Sequence, residues 1–351
     1  MTLIDDPDFR ACHVFAELQT APLGFIDVGA RGGVRSFAEA IEPLAAVLAF
    51  EPDPAATAEL RTSLSRGWRL AEVESAAIGG FRGKGQLNLF AHGVNHSLLK
   101  VNRSFRDRYG VGSLAEKGSI PVELETIDAV LFERRPDQPF WGELIKLDVQ
   151  GAELDTLKAA SRTLAERTVA IVSEVCFLEI YADQPRFSHL EQFLADAGFT
   201  FYGFFETQGW SQKFIDKREV LGRERACYAD AIFLKDPLPS GKAKGPISRR
   251  QYAMLYLCAL LLKYYDFAVE LAAEGDFEIE EAERLIRLAQ RQGRRSAEES
   301  VGEIEALLDA MKSDPTQANL KFMRFVGKWR NFADIADASL PRRTPVPRAR
   351  R

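Results

Sequence analysis

The fold is decided by FIDVGARGG, residues 25–33. Phe25 and Ile26 open a short apolar run, Asp27 follows, and glycines stand at 29, 32 and 33. That order predicts a buried strand, a tight turn and the start of a helix. Glycine has no Cβ, so such a turn lets backbone N–H groups approach a ligand closely. The next apolar run, Val47–Phe50, ends on Glu51. An acid at the tip of the second strand, about 20 residues beyond the turn, can accept hydrogen bonds from two ribose hydroxyls. A nucleoside is therefore expected in the first crevice of the sheet.

Outward from this stretch, strands and helices alternate from 25 to 235. Strands are expected at 25–28, 46–50, 72–77, 85–90, 119–124, 143–147, 168–175, 199–205 and 227–234. Helices are expected at 36–42, 54–65, 125–133, 152–165 and 187–197. LIKLD and VAIVSEV do not alternate in polarity, as in parallel strands covered on both faces. QLNLF, 86–90, does alternate and predicts a hairpin partner beside the third strand. The last two strands, joined by about twenty polar and aromatic residues, suit an antiparallel pair at one sheet edge.

Residues 235–250, KDPLPSGKAKGPISRR, are rich in Pro, Gly and Lys and nearly devoid of apolar residues. They divide an expected nucleotide-binding domain, 1–235, from a helical module at 251–338, with 236–250 as linker. Four helices are expected in the module: 249–273, 277–292, 297–312 and 315–336. Ser296 with Glu299 fits a capping box. The Pro/Arg-rich residues 339–351 predict a disordered basic tail. YAMLYLCALLL, from Tyr252, is too short to cross a bilayer, which takes about 20 residues, and predicts a buried helix. Its apolar character on nearly every face suits an interface, so a homodimer or a protein partner through these helices is expected, with a roof over the acceptor cleft as the alternative.

A net charge of −5 gives no case for nucleic-acid binding. The N-terminus MTLIDDPDFR has neither the basic flank nor the apolar core of a signal peptide. The cysteines at 12, 176, 227 and 258 form no CxxC pair and are expected to be reduced packing residues. A cytoplasmic location and no metal site follow as expectations.

The second decisive element is LIKLDVQGAELDTLKAA, 144–160. A buried strand ends at Asp148, turns at Gly151 and enters a helix. Ligands of open α/β sheets bind at the carboxyl ends of strands, near the switch in strand order. Asp27, Glu51, Asp148 and Glu174 would meet there. Four acids suit ribose hydroxyls and a cationic centre, whereas they would repel a pyrophosphate.

In order and spacing, FIDVGARGG, AFEPDP, TID at 126–128, LIKLDVQGAELDTLKAA and IVSEV resemble the FkbM-type family of S-adenosylmethionine-dependent methyltransferases, over about residues 20–235. DVGARGG is similar to the family's DVGAN-x-G, with Arg31 where asparagine is usual. DVQGAE is similar to its DVEGAE, with Gln150 for glutamate. The resemblance implies a Rossmann-like seven-stranded sheet with an antiparallel last strand, and O-methylation of a sugar, glycan or polyketide hydroxyl. It further implies S-adenosyl-L-methionine held by Asp27, Gly29, Arg31, Gly33, Glu51, Pro52, Asp148 and, around adenine, Ser75, Ala76 and Ala77. The acceptor would meet Ser97, Gln150 and Glu153. Catalysis would fall to Asp148, His96 or Glu174, where His96 of HGVNHSLLK and Asp148 are alternative bases. Two other classes stay open. A dinucleotide-dependent oxidoreductase calls for GxGxxG, which glycines at 29, 32 and 33 do not supply. A non-catalytic binding protein on the same fold would bind the nucleoside without turnover.

Overall fold

The structure is a computed structural model that describes residues 2–34, 36–294, 296–329 and 344–347. Ten strands are present among them: β1 Leu23–Val28, β2 Ala45–Phe50, β3 Leu70–Glu74, β4 Ala77–Ile78, β5 Gly83–Phe90, β6 Glu116–Glu125, β7 Trp141–Leu147, β8 Ala170–Cys176, β9 Thr200–Trp210 and β10 Arg225–Leu234. Seven form one sheet in the order β3-β2-β1-β7-β8-β10-β9. Its first five strands run parallel, and β10 lies antiparallel to both β8 and β9. The order reverses between β1 and β7, the two strands that carry FIDV and LIKL. β1, β2 and β7 are buried at every position, because helices cover both faces.

One face packs on Ile127–Ala129 and its continuation to Arg134, on Glu153–Lys158, Ser161–Glu166 and Phe187–Asp196. The other face carries Phe9, Val14 and Leu18 of the N-terminal helices and Leu60 of Pro54–Ser63. It also carries three C-terminal helices, Arg249–Leu261, Tyr265–Glu274 and Ile279–Gln292. Met254, Leu257, Cys258 and Leu285 thus share one core with Phe25, Val47 and Val172. The apolar run from Tyr252, expected at an interface, is consumed inside the chain, where Met254 and Leu257 are fully buried. Arg250 ties this helix to the sheet. Its Nε and Nη2 donate to the two carboxylate oxygens of buried Glu143 on β7 at 2.6 and 3.0 Å, and its Nη1 and Nη2 donate to the carbonyls of Glu17, Ala21 and Pro22.

Three local expectations are corrected. The segment after the glycine turn, expected as a helix at 36–42, is a kinked 3₁₀ stretch, Ser36–Leu44. Ile41 leaves helical geometry at φ −136°, and Pro43 has no N–H to continue it. The 85–90 strand does not pair with the third strand. It is part of β5, which pairs antiparallel with β6 in a separate sheet of order β4-β6-β5. The expected helix 249–273 breaks around Lys263, which takes φ 67°. The capping box at Ser296 and Glu299 forms as read, opening Ala297–Ser313. Of the last helix, Ala318–Trp329 is seen; its expected end at 336 and the tail at 339–351, apart from 344–347, lie outside the described residues.

Candidate active site

A cleft of about 350 Å³ opens at the carboxyl ends of β1, β2, β7 and β8, where the strand order reverses. Gly29 makes the closest approach: at φ 79°, a Cβ there would lie 2.0 Å from the carbonyl oxygen of Asp148. Only glycine lets the β1 turn press against the end of β7. Beneath the turn, Asp27 is fully buried, with its carboxylate 3.3 Å from Lys146 Nζ. Lys146 also donates to Gly29 O at 3.3 Å and stands 3.6 Å from Asp148 Oδ2. One buried cation thus ties both halves of the switch point together.

At the β2 end, Glu51 Oε1 accepts the N–H of Asp53 at 2.9 Å and lies 3.8 Å from Arg31 Nη1. Burial raises the Glu51 carboxyl above its ordinary range, against the lowering pull of the Asp53 amide and Arg31. Arg31 donates from Nη2 to Asp53 Oδ2 at 2.6 Å, which lowers Asp53, and from Nη1 to Gly93 O at 3.4 Å. The arginine in place of the family's asparagine therefore braces the Glu51 corner and the loop after β5. Val28, Phe50, Ala76, Ala77 and Ile78 give that end an apolar wall.

The other end is built on the turn after β7. Gln150 takes φ 53°, in the left-handed region that a non-glycine residue seldom occupies. Its Nε2 donates to Asp148 Oδ1 at 2.7 Å and to Glu174 Oε2 at 3.2 Å. Its Oε1 lies 2.8 Å from the Tyr181 hydroxyl, whose one proton is shared between it and Asn95 O at 2.9 Å. Its carbonyl accepts from Ser97 Oγ at 2.6 Å. Both ends of the side chain are held, so the strained backbone is over-determined by its surroundings. Glu153 closes the turn from below: Oε1 accepts from the N–H of Val149 and Gly151, and Oε2 from Gly151. Burial pushes Glu153 up to about 7.

Across the strands, Asp148 follows β7, Glu174 sits on β8, and Asp230 stands opposite Glu174 on β10. Like charges placed this way disfavour each other. Burial, reinforced by Asp148, Glu153 and Asp230, raises Glu174 well above the usual carboxylate range. Carboxylate oxygens of Asp148, Glu153 and Glu174 come within 4.8 Å of one another, a spacing that three ligands of a hard cation also show. Here they already accept from Val149, Gly151 and Gln150, so hydrogen bonds account for the cluster.

His96 has a different standing. Its Nδ1 accepts the N–H of Phe90 at 3.2 Å. Burial, helped by Arg31, lowers its pKa, so the ring is neutral with its proton on Nε2. A ring in that state has no free lone pair to receive a proton.

Of the site residues read from the sequence, Gly29, Arg31, Glu51, Pro52, Ala76, Ala77, His96, Ser97, Asp148, Gln150 and Glu174 line the cleft together. Asp27, Gly33, Ser75 and Glu153 do not. Asp27 and Glu153 lie beneath it, Gly33 and Ser75 on the exposed side of their turns. Lys146, Tyr181, Tyr228 and Asp230 were not singled out. Lys146 could have been, as a lysine inside a buried strand two residues before a site acid; the others carry no local signal. Trp210 lines the cleft as well, beside Tyr228.

Residues 27–201 match the family described as the methyltransferase FkbM domain. A protein of Sordaria araneosa described as methyltransferase sdnD is 30% identical over 206 residues, which is 54% of this chain and 77% of that protein. The chain belongs to the FkbM methyltransferase family. Solved structures that it resembles include a magnesium protoporphyrin IX methyltransferase from Synechocystis PCC 6803 with bound SAM (10% identity, 65% of this chain and 82% of that one, TM-score 0.30). Another is a precorrin-6y C5,15-methyltransferase from Geobacter metallireducens GS-15 (15% identity, 66% and 92%, TM-score 0.29). At those scores the likeness adds nothing to the sheet order itself. In this FkbM methyltransferase the family's motifs therefore stand at the two ends of one cleft, DVGARGG and AFEPDP at one, DVQGAE at the other.

Proposed function

We propose that the chain transfers a methyl group from S-adenosylmethionine to a hydroxyl of a sugar, glycan or related natural product. The observation that carries this reading is the single cleft with Glu51 at one end and the Asp148–Gln150–Glu174 array at the other. The residues present fit the cofactor. No hydrogen bond within the described chain occupies Glu51 Oε2, so it can take ribose hydroxyls, beside an apolar wall suited to adenine. Gly29, Arg31 and Asp148 line the same cleft, so the ends of β1 and β7 can face the methionine part together.

When bound, S-adenosylmethionine supplies a methyl group already activated on a sulfonium. What remains for the protein is to align an acceptor oxygen and receive its proton. Asp148 is assigned the proton. It is the cleft carboxylate that Gln150 fixes in one rotamer and that Lys146 holds in reach of a positive charge. Glu174 and the Nε2–H of His96 line the cleft as hydrogen-bonding groups that orient the acceptor oxygens. Trp210 and Tyr228 offer faces on which a sugar ring can stack.

The partners in this reading are the hydroxyl-bearing acceptor and, through the C-terminal helices, a second copy of the chain. No helix among the described residues is long and apolar enough to cross a membrane. Four buried free cysteines suit a reducing compartment, and the cytoplasm is the proposed place of work, which cell fractionation checks. A labelled-methyl screen against neutral sugars, glycans and polyketide alcohols tests the reaction. Transfer to an amine, a carbon or RNA, with no hydroxyl product, would replace the O-methyl assignment.

A further inference from the structure

The apolar run once expected at an interface is buried in the chain's own core, yet another apolar surface is left open. Ala297–Ser313 and Ala318–Trp329 form a helical hairpin in which no side chain is fully buried. On its first helix Val301, Ile304 and Leu308 are 53%, 56% and 47% exposed, at the i, i+3, i+7 spacing of one stripe. On its second, Phe322, Met323 and Val326 are 42%, 46% and 39% exposed. The β9–β10 loop joins this surface: Asn319 Nδ2 donates to Arg218 O at 2.8 Å, and the loop exposes Phe214 and Ile215. Most of the large apolar side chains that the described chain exposes lie on these two segments. Contiguous patches of this kind mark interaction sites.

Charge points to the occupant. The first helix carries Glu298, Glu299, Glu303, Glu305 and Asp309 against Lys312. The second carries Lys321, Arg324 and Lys328 and no acid. The hairpin thus contains an acidic apolar helix and a basic apolar helix side by side. A surface of that composition is its own complement under a two-fold axis, which lays the first helix of one copy over the second helix of the other. Lys328 Nζ and Glu303 Oε1, 3.2 Å apart, already show this pairing within one chain. Helices of these lengths span about 25 and 18 Å at 1.5 Å per residue and, at about 10–12 Å across, offer roughly 430–520 Å² side by side. The β9–β10 loop extends this face toward the roughly 800 Å² per partner that a stable complex buries.

We propose that the hairpin 297–329, with the exposed tip of the β9–β10 loop, is a two-fold interface between two copies of this chain. The same loop continues β9 beyond Trp210, so the interface braces the segment that carries an acceptor-side wall of the cleft. This deepens the self-association in the proposed function but does not depend on methyl transfer.

The test is light scattering coupled to size exclusion on the full chain, with S-adenosylhomocysteine binding measured in parallel. Wild type is expected at twice the chain's 39.2 kDa at micromolar concentration. Ile304→Glu with Val326→Glu, both at exposed positions, is expected to raise the dimer dissociation constant at least 100-fold and leave ligand binding unchanged. Reversing one side (Glu305→Lys, Asp309→Lys) or the other (Lys321→Glu, Arg324→Glu) should each weaken the dimer, and the two reversals combined should restore it. A full chain that stays monomeric at 100 μM, a dimer indifferent to the glutamate pair, or reversals that do not rescue each other would overturn the proposal. Loss of ligand binding in dimeric wild type would count against the cofactor reading alone.

Discussion

Glu51→Gln is the most informative single change at the cofactor end. Glu51 Oε1 already accepts the Asp53 N–H at 2.9 Å. A glutamine would keep that bond with its amide oxygen and turn its NH₂ toward the position of Oε2. The fold is then undisturbed, while the ribose hydroxyls lose a charged acceptor. Hydrogen bonds to charged groups contribute about 1.5–3 kcal/mol each. With about 1.4 kcal/mol per decade, S-adenosylhomocysteine should bind roughly 10- to 100-fold more weakly. A pH signature accompanies this loss. Burial raises the Glu51 carboxyl, so on acidification it takes up a proton sooner than an exposed glutamate. Wild-type affinity should fall as pH drops through that raised value, and the variant should lack this slope. The assay is isothermal calorimetry from pH 5 to 8, with circular dichroism to confirm the fold. An unchanged dissociation constant, or the same pH slope in both proteins, would remove Glu51 from the ribose site.

Asp148→Asn should lower methyl transfer by about 10²-fold or more, the usual share of a proton acceptor, while S-adenosylhomocysteine affinity stays within a few-fold; equal losses in both would make the acid a cofactor ligand. Burial pushes Glu143 and Glu153 up to about 7 from the 4.5 of an exposed glutamate, so the folded chain holds protons that the unfolded chain releases between those values. These two groups therefore favour the fold at the acid end of that window, and stability falls as pH rises through it. Glu153→Gln, which keeps an acceptor for Val149 and Gly151, should flatten the dependence of Tm on pH, and an unaltered slope would reject the assignment. Finally, a chain ending at Lys235 removes the helices that cover Phe25, Val47 and Val172 and should fail to fold, whereas one ending at Arg294 should fold and bind ligand. A well-folded 1–235 would support the division at the linker.

The sheet was legible because its strands are continuous apolar runs ended by acids or glycines. Val47–Phe50 and Leu144–Leu147 could be read without any knowledge of partners. The two halves of the cleft were legible for the same reason: Glu51 and Asp148 terminate buried strands. Contacts that join distant segments were not. Glu153 looks like a site acid in DVQGAE, but its carboxylate closes the turn that displays Gln150. Asp27 looks like a ligand contact, but Lys146 on the neighbouring strand neutralises it below the surface. His96 looks like a base until Phe90 N–H occupies Nδ1. Asp230 is seen only when β10 is threaded antiparallel to β8. The linker composition at 235–250 is real, yet composition says nothing of where the next helix packs. Arg250 and Glu143, far apart in the chain, decide that.

The most direct measurement is a calorimetric titration of the full chain with S-adenosylmethionine and with NAD side by side. One molecule of S-adenosylmethionine per chain is expected, with a dissociation constant between about 1 μM and 1 mM, the range of enzyme substrates, and no heat from NAD. Saturable binding of NAD, or no binding of S-adenosylmethionine at millimolar concentration by a folded chain, would contradict a methyltransferase cleft built between Glu51 and Asp148.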